Sequence, residues 1–519
     1  MAIDGPVIKY LIVNHGKRDV WSLLLAAKTH LWNFSLVALW IKDKKSGLSF
    51  LDSSDEEVKL KAAVDSFWVL VLSYIFQIFL LLIQTPMKYV GDAVDFVLNF
   101  ISQNGGFSGI LNNILRGKVV IPKRGAENFL SSIGFLDDRI DLYKNLADKA
   151  DEILPADGNS DSKLENRKLM DLCIMASKLA YENAKVVKNV VTSCWKMNFV
   201  GFYDCWNEYQ KESNTQVFIF SDKPKDANLI VISFRGTEPF NAQDWITDVD
   251  FSWYGLENVG KIHVGFLEAM GLGDRSDITT FVKHLQKKDK SLLFLDADSE
   301  KAMLDLTKNG AFYVVAIKLC NLLKEHRNAK FVVTGHSLGG ALAILFPTVL
   351  VIQEETELLQ KMLNIYTFGQ PRIGDKDLAT YMETQLSKLT AKYFRVVYCN
   401  DMVPRLPFDD KFFHYKHYGE CIYYDSNYFS QVMKEEPHPN FFGLQYFIPM
   451  RKTALWELLK SLAMGYIHGP DYKESWESTL FRVMGLVLPG VASHSPVNYV
   501  NSVRLGRERI LKLPSFALM

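Results

Sequence analysis

The sequence lacks an excess of charge of either sign. Its 519 residues include 59 Lys plus Arg and 59 Asp plus Glu, so the formal net charge is zero. A balanced chain has no electrostatic reason to bind nucleic acid or to be drawn strongly to an anionic surface. We therefore expect apolar partners, and the length leaves room for a catalytic domain and further regions.

Cysteine is also scarce. The chain has six cysteines, with no Cys-x-x-Cys pair and no Cys/His spacing typical of a metal site. This pattern favours free thiols in a reducing compartment over disulfides. The N-terminus carries Asp4, Pro6 and His15 where a signal peptide would have a basic start and an unbroken apolar core. We therefore expect a protein that is not secreted.

The longest apolar run covers residues 67–83, seventeen residues without a formal charge, and Gln84, Thr85 and Pro86 close it. A helix of this length would measure about 25 Å against a hydrocarbon core of about 30 Å, which is marginal for a membrane crossing. The following residues look amphipathic. We expect segment 64–100 to enter a lipid surface and return, or to lie along it, with a buried core helix as the alternative.

The rest of the chain divides into three expected regions. For residues 1–63 we expect a small accessory region without an assigned role. Residues 101–194 have a helical pattern. Strand-like runs occur at 217–220, 229–234, 331–334, 364–368 and 393–398, and helical patterns separate several of them, notably 311–325 and 341–350. This alternation predicts an α/β domain with a mostly parallel sheet over residues 195–519.

A glycine-rich turn lies between a β-branched run and a helix-forming apolar stretch, Gly335-His336-Ser337-Leu338-Gly339-Gly340. A sharp strand-to-helix turn strains the backbone at the serine and leaves no room for side chains at Gly335 and Gly339. The helix N-terminus favours negative charge on the oxygen of an attacked carbonyl. The pattern is weak alone, but in this context it predicts a nucleophilic Ser337. His336 should point away and has no proton-transfer role.

The acid and the base should follow the serine in chain order, as in α/β-hydrolases. Asp401 comes directly after the strand-like run 393–398 and is the candidate acid, with Asp409 and Asp410 as rivals. Five histidines follow it: His414, His417, His438, His468 and His494. Spacing does not choose among them, but His494 lies in a loop just before the last helix-like segment and is the candidate base.

A small residue after an upstream strand can help to bind the oxyanion. Thr237 follows the strand-like run 229–235 and can offer its backbone N–H and hydroxyl, and the N–H of Leu338 is the second donor. Apolar residues dispersed over 238–254 predict a mobile lid that covers the site in water. A helix packed on the core is the alternative for this segment.

Six motifs in the same order resemble the class 3 lipases, the fungal-type triacylglycerol lipase family, and within it the plant oil-body lipases. They lie at 232–237 (ISFRGT), 262–266 (IHVGF), 335–340 (GHSLGG), 367–372 (TFGQPR), 400–405 (NDMVPR) and around His494. The resemblance implies an α/β-hydrolase fold without a metal or organic cofactor. The site residues that it implies are Ser337 as nucleophile, Asp401 as acid, His494 as base, and Thr237 and Leu338 as oxyanion donors.

The resemblance also implies a function: hydrolysis of long-chain acylglycerols to free fatty acids at the cytosolic face of a lipid droplet, reached through the endoplasmic reticulum membrane. Residues 67–83 match the lipid anchor of the oil-body relatives. A phospholipase A1 or galactolipase, or an inactive droplet coat protein, is the alternative. Two segments depart from the simple fungal pattern. Residues 425–472 keep His438 and His468 as rivals, and residues 274–308 have no assigned use.

Overall fold

The computed structural model describes residues 10–13, 48–51, 67–142, 163–207, 210–286, 291–407, 415–438 and 444–508. Within these ranges the strands form one large sheet and one small sheet. The strands are β1 (Tyr10–Val13), β2 (Leu48–Leu51), β3 (Asn198–Asn207), β4 (Glu212–Ser221), β5 (Leu229–Phe234), β6 (Trp253–Leu256), β7 (Gly260–His263), β8 (Lys330–His336), β9 (Met362–Phe368), β10 (Gly374–Asp375), β11 (Lys392–Tyr398), β12 (Tyr415–Lys416), β13 (Glu420–Tyr424), β14 (Phe429–Met433) and β15 (Arg507–Glu508).

Helices precede the large sheet along the chain and cover both of its faces. The α-helices are α1 (Phe67–Gln103), α2 (Gly106–Leu115), α3 (Ser132–Leu136), α4 (Lys163–Leu179), α5 (Ala184–Asn189), α6 (Ala242–Asp248), α7 (Val264–Ala269), α8 (Thr279–His284), α9 (Ala297–Leu306), α10 (Ala311–Glu325), α11 (Leu338–Ile352), α12 (Thr356–Gln360), α13 (Lys376–Leu386), α14 (Phe447–His468), α15 (Trp476–Met484), α16 (Pro489–Ser493) and α17 (Pro496–Leu505).

The large sheet has nine strands in the order β15-β14-β13-β11-β9-β8-β5-β4-β3. The five central strands β13, β11, β9, β8 and β5 are parallel to their neighbours within this group. The pairs β3–β4, β4–β5 and β13–β14 are antiparallel. Parallel strands need crossover connections, and helices supply most of them. The predicted α/β-hydrolase fold with a mostly parallel sheet is confirmed.

The core lies on both faces of this sheet because successive side chains of a strand point to opposite faces. Val333 of β8 belongs to the buried cluster formed with α10 and α11. Its neighbour Val332 belongs to the cluster formed with α4 and α17. The helical region before residue 195 therefore supplies one cover of the sheet. Helix α11, which starts beside the serine, is apolar except for Thr348 and is buried from Leu338 to Val351.

Helix α1 runs without a break for 37 residues and contains Pro86 in its interior. The helix therefore continues past residues 84–86, where the uncharged apolar run of the sequence closes. Proline removes one backbone hydrogen bond and bends a helix, but it need not end one at an exposed position such as this. Among the described residues, no helix has both the length and the apolar composition that a membrane crossing requires.

The small sheet has the strand order β12-β10-β7-β6-β1-β2. Strand β1 pairs antiparallel with β6, with Tyr10 opposite Tyr254 and Leu11 opposite Trp253. A strand from region 1–63 thus joins strands of the catalytic region. Two segments without an assigned use contain regular elements: 274–308 includes α8 and α9, and 425–472 includes β14 and α14.

Candidate active site

Ser337 occupies the turn between β8 and α11. Its backbone has φ 59° and ψ −133°, a conformation that L-residues rarely adopt and that costs about 1–3 kcal/mol. A Cβ on Gly335 would lie 2.1 Å from the Gly339 carbonyl oxygen, and a Cβ on Gly339 would lie 2.3 Å from the Phe234 carbonyl oxygen. Only glycine fits at either position, because the turn brings these backbones into direct contact. The strained turn holds the serine at the N-terminus of α11.

Asp401 and His494 form a hydrogen-bonded pair. Asp401 follows β11 and His494 follows α16, and the chain brings the His494 Nδ1 atom to 2.7 Å from Asp401 Oδ2. The carboxylate is fully buried, and its Oδ1 accepts a hydrogen bond of 2.9 Å from the backbone N–H of Val403. An acceptor fixed in this way sets the tautomer of the imidazole and leaves Nε2 without a hydrogen.

His494 Nε2 is buried and has no hydrogen-bond partner among the described residues. The structure therefore holds no Ser337–His494 hydrogen bond, although the serine residue is itself buried, with 5% of its surface exposed. Catalytic hydrogen bonds are often long in ligand-free enzymes and tighten when substrate binds. The free lone pair of Nε2 is the acceptor that a serine hydroxyl would need.

Gly369 lies beside both Asp401 and His494, and its motif predicted no separate role for it. Its φ is +59°, and a Cβ there would lie 2.9 Å from both Asp401 Oδ2 and His494 Cε1. A side chain at this position would push the pair apart. This contact gives a physical reason for the glycine in the motif at 367–372.

The candidate oxyanion donors come from two loops in contact. Thr237 and Gly236 follow β5, and a Cβ on Gly236 would lie 2.5 Å from the His336 carbonyl oxygen, so this loop touches the nucleophile turn. The Thr237 hydroxyl donates a 2.6 Å hydrogen bond to Asp248 Oδ2. Leu338 is the first residue of α11, where the N–H groups of a helix have no partner within the helix.

Asp248 is a partly exposed residue, but its Oδ1 is buried and has no partner among the described residues. Burial raises the pKa of this carboxyl to about 8, although the hydrogen bond from Thr237 opposes the shift. Burial therefore favours the neutral acid over the carboxylate at this position. It keeps negative charge away from the place where a substrate oxygen would become negative.

The predicted lid, 238–254, contains α6 and is bonded to Arg235 on one side and to α1 on the other. Asp244 is buried beside Arg235, with 3.3 Å between the Arg235 Nη2 and Asp244 Oδ2 atoms. Burial raises the pKa of Asp244 to about 7 against the attraction of Arg235. On the other side, the Ser73 hydroxyl of α1 donates a 2.5 Å hydrogen bond to the Val249 carbonyl oxygen. Opening this segment would break contacts with α1.

The rival histidines that the structure describes make other contacts. His417 Nε2 is 2.7 Å from the Pro404 carbonyl oxygen, the His438 ring packs against Tyr446, and the His468 ring packs against Tyr472. Among the described contacts, His494 is the histidine bonded to Asp401. The other rivals, Asp409, Asp410 and His414, lie outside the described residues.

Sequence reasoning missed one residue that contacts the pair directly. The Tyr499 hydroxyl donates a short hydrogen bond to Asp401 Oδ2, the oxygen that also receives His494 Nδ1–H. Tyr499 lies in the first turn of α17 and is fully buried. Nothing in its local pattern distinguishes it from a core tyrosine, since the contact depends on a residue about a hundred positions away.

Three comparisons with known proteins show what this chain is similar to. Residues 231–411 match the family described as Lipase (class 3). Triacylglycerol lipase OBL1 of Arabidopsis thaliana is 54% identical over 91% of this chain and 92% of its own length. The protein of the same name from Ricinus communis is 52% identical over 92% and 94%. The solved structure of Rhizomucor miehei triacylglyceride lipase aligns with 51% of this chain and 82% of its own, at 23% identity and a TM-score of 0.35.

The mostly parallel sheet and the serine turn, together with these relatives, define a serine ester hydrolase of the α/β-hydrolase fold. Within that class, the chain belongs to the class 3 lipase family. The resemblance predicted from six short motifs, including the resemblance to the oil-body lipases, is confirmed.

Proposed function

We propose that this enzyme hydrolyses triacylglycerols and related long-chain acylglycerols at the surface of an oil body, with Ser337, Asp401 and His494 as its catalytic triad. The observation that carries the proposal is the 2.7 Å hydrogen bond from His494 Nδ1 to Asp401 Oδ2, which leaves Nε2 free, with the His494 ring 4.5 Å from the ring of His336, the neighbour of Ser337. The relatives named Triacylglycerol lipase OBL1 support the choice of substrate.

Acylation begins when the Ser337 Oγ attacks the ester carbonyl carbon while its proton moves to His494 Nε2. The carbonyl oxygen becomes negative, and the backbone N–H groups of Thr237 and Leu338 donate to it. Asp401 stabilises the imidazolium that forms. The tetrahedral intermediate then collapses: the bond to the glycerol oxygen breaks, and that oxygen takes the proton from His494.

Deacylation repeats these steps with water. His494 Nε2 takes a proton from a water molecule as its oxygen attacks the acyl carbon, and the same donors bind the second oxyanion. Collapse breaks the bond to Ser337 Oγ, which regains its proton from His494, and a free fatty acid leaves. The serine proton that left with the alcohol is replaced by a proton from water, so the enzyme returns to its starting protonation state.

Helix α1 is the segment that we assign to the lipid surface. Its exposed side chains include large apolar ones at eight positions: Ile75, Phe76, Phe79, Leu82, Tyr89, Val90, Phe96 and Val97. An exposed apolar face of this extent is typical of a surface that meets lipid or another protein. A helix lying along the lipid layer needs no crossing, so the absence of a spanning helix among the described residues is compatible with this arrangement.

The decisive test compares Ser337→Ala with the wild-type enzyme. We expect Ser337→Ala to lower turnover of emulsified triacylglycerol by about 10⁶-fold, by analogy with triad knockouts. A matched control is Ser502→Ala, which removes another fully buried hydroxyl and should retain full activity. Fatty-acid release is the measurement, with tri-, di- and monoacylglycerols, phospholipids and galactolipids as substrates.

Three outcomes would contradict the proposal in different places. Near-full activity of Ser337→Ala would overturn the assignment of the nucleophile. Faster release from phospholipid or galactolipid than from triacylglycerol would make the enzyme a phospholipase or galactolipase. No reaction of the wild-type serine with a fluorophosphonate, and no release from any ester, would make the chain an inactive coat protein.

A further inference from the structure

His336, the residue before the nucleophile, is a second buried imidazole in the site that the proposed mechanism leaves unused. Both of its ring nitrogens have partners. Nδ1 is 2.9 Å from the hydroxyl of Tyr181, and Nε2 is 3.0 Å from the backbone carbonyl oxygen of His494. The ring also lies over the catalytic imidazole, with 4.5 Å between centroids and 31° between planes.

The hydrogens of this chain of contacts can be assigned by counting donors. The carbonyl oxygen of His494 only accepts, so His336 Nε2 must carry the hydrogen. Burial lowers the pKa of His336 well below its usual value, helped by the nearby His494, so the ring is neutral and has one hydrogen. Nδ1 is therefore an acceptor. The Tyr181 hydroxyl must donate to it.

The bond from Tyr181 has an electrostatic consequence as well. Nδ1 is where a second proton would bind to His336, and the tyrosine hydroxyl already occupies that lone pair. The groups that face His336 are Tyr181, His494 and Tyr499, and none of them is an anion that would favour a charged ring. A charged His336 would oppose the imidazolium that forms on His494 during the reaction.

Tyr181 is well held in this position. It follows α4 in the helical region, is 6% exposed, and a Cβ on Gly236 would lie 2.0 Å from its hydroxyl oxygen. The hydroxyl is therefore wedged between the loop that carries Thr237 and the ring of His336. Tyr181, which lies outside the sheet domain, thus contacts both the loop that carries Thr237 and the ring of His336.

We infer that Tyr181 and His336 are positioning residues for the catalytic histidine: the chain of hydrogen bonds from Tyr181 through His336 to the His494 carbonyl fixes the backbone of the base and keeps the adjacent ring uncharged. The inference rests on the proposed triad. It adds two residues that touch neither the substrate nor the reacting atoms and act through His494.

The test is Tyr181→Phe, which keeps the ring and removes the donated hydrogen. Without that bond, the hydrogen of His336 can move from Nε2 to Nδ1, so that a lone pair faces the His494 carbonyl. The ring can also gain a second proton. We expect kcat on a soluble short-chain ester to fall about tenfold while KM changes less than twofold, because the loss affects the reacting geometry and not substrate binding. The control is Tyr418→Phe, which removes a buried hydroxyl bonded to Thr348 of α11 and should leave kcat within about twofold.

A pair of variants at His336 tests the same inference if Tyr181→Phe fails to fold. In His336→Gln the side-chain amide can donate to the His494 carbonyl and accept from Tyr181, so it should keep at least a third of the wild-type kcat. His336→Leu, of similar size, should lose about tenfold or more. Equal activities of the Gln and Leu variants, or a kcat for Tyr181→Phe equal to that of Tyr418→Phe, would overturn the inference. Loss of the proposed function itself would show separately, as full activity in Ser337→Ala.

Discussion

The helices α11 and α1 are both rich in large apolar side chains, yet they meet opposite surroundings. In α11 the side chains are buried from Leu338 to Val351 against the sheet. In α1 the buried positions among the described side chains are Ser73, Gln77, Leu80, Gly91 and Asn99, and eight large apolar side chains are exposed. The side of α1 that faces the protein thus carries the polar residues Ser73, Gln77 and Asn99, together with a small apolar cluster around Leu80.

This difference shows what holds each helix in place. Burial of one aliphatic or aromatic side chain is worth about 1.5–3 kcal/mol, and α11 gains this repeatedly. Helix α1 is instead oriented by specific hydrogen bonds, such as the pair between the Asn99 amide and the backbone of Leu130, at 2.8 and 2.9 Å. The exposed apolar side chains on the outer face of α1 gain no burial in water, but they would be buried in a lipid layer.

The largest effect should follow from placing a charge in α11. Ile344 is fully buried, so Ile344→Asp would place an unpaired carboxylate among apolar groups and should cost about 4 kcal/mol or more. We expect loss of the cooperative thermal transition, measured by circular dichroism. A variant that melts within a few degrees of the wild type would contradict the account of this helix as a core element.

The same change in α1 should affect binding and spare the fold. Leu82 is 76% exposed, and we expect Leu82→Asp to reduce partitioning onto phospholipid-coated triolein droplets about tenfold or more, because a charge replaces an inserted leucine. Droplet flotation is the measurement. Thr384→Asp is the control, because it adds the same charge to an exposed position of α13. The melting temperature should change in neither variant, and equal flotation of both would refute the lipid contact of α1.

The smallest effect concerns α6, which lies between α1 and α11. Burial raises the pKa of Asp248 from 3.8 to about 8. Its ionisation above that pH would place negative charge beside Thr237, so kcat/KM on a soluble ester should fall roughly three- to tenfold between pH 7 and pH 9. Asp248→Asn keeps an acceptor without a charge and should remove this alkaline decrease. Superimposable pH profiles of the two proteins would exclude Asp248 as its source.

The same pKa shift affects stability. Between about pH 4 and pH 8 the folded protein keeps a proton on Asp248 that the unfolded chain has lost. The contribution of this group to stability is therefore full below about pH 4 and is lost as the pH rises through about 8. Denaturant titrations at several pH values should show that Asp248→Asn lacks this part of the pH dependence.

Local patterns predicted the parts of the molecule that local physics determines. The strand, glycine turn and apolar helix around Ser337 follow from backbone sterics within a dozen residues, and the central strands follow from short β-branched runs. The path of α1 through Pro86 was not predictable in this way, because whether a proline bends or ends a helix depends on what the helix packs against.

The residues that contact and position the candidate triad were also not predictable from local patterns. Tyr499 and Tyr181 have the appearance of ordinary core residues in the sequence, and their hydroxyls gain their roles from Asp401 and His336, which lie far away along the chain. Chain order favoured Asp401, but five histidines remained open until the motif resemblance singled out His494. Hydrogen bonds between distant residues are set by tertiary packing, which no spacing rule describes.

The pairing of β1 with β6 has a practical consequence for anyone who wishes to shorten this enzyme. Strand β6 begins directly after the α6 segment, and Tyr10 and Ile12 of β1 are buried. A version that started at α1 would leave the backbone of β6 as an open edge, a ready template for aggregation. Supplying residues 1–20 as a separate peptide would be a simple way to recover a soluble protein.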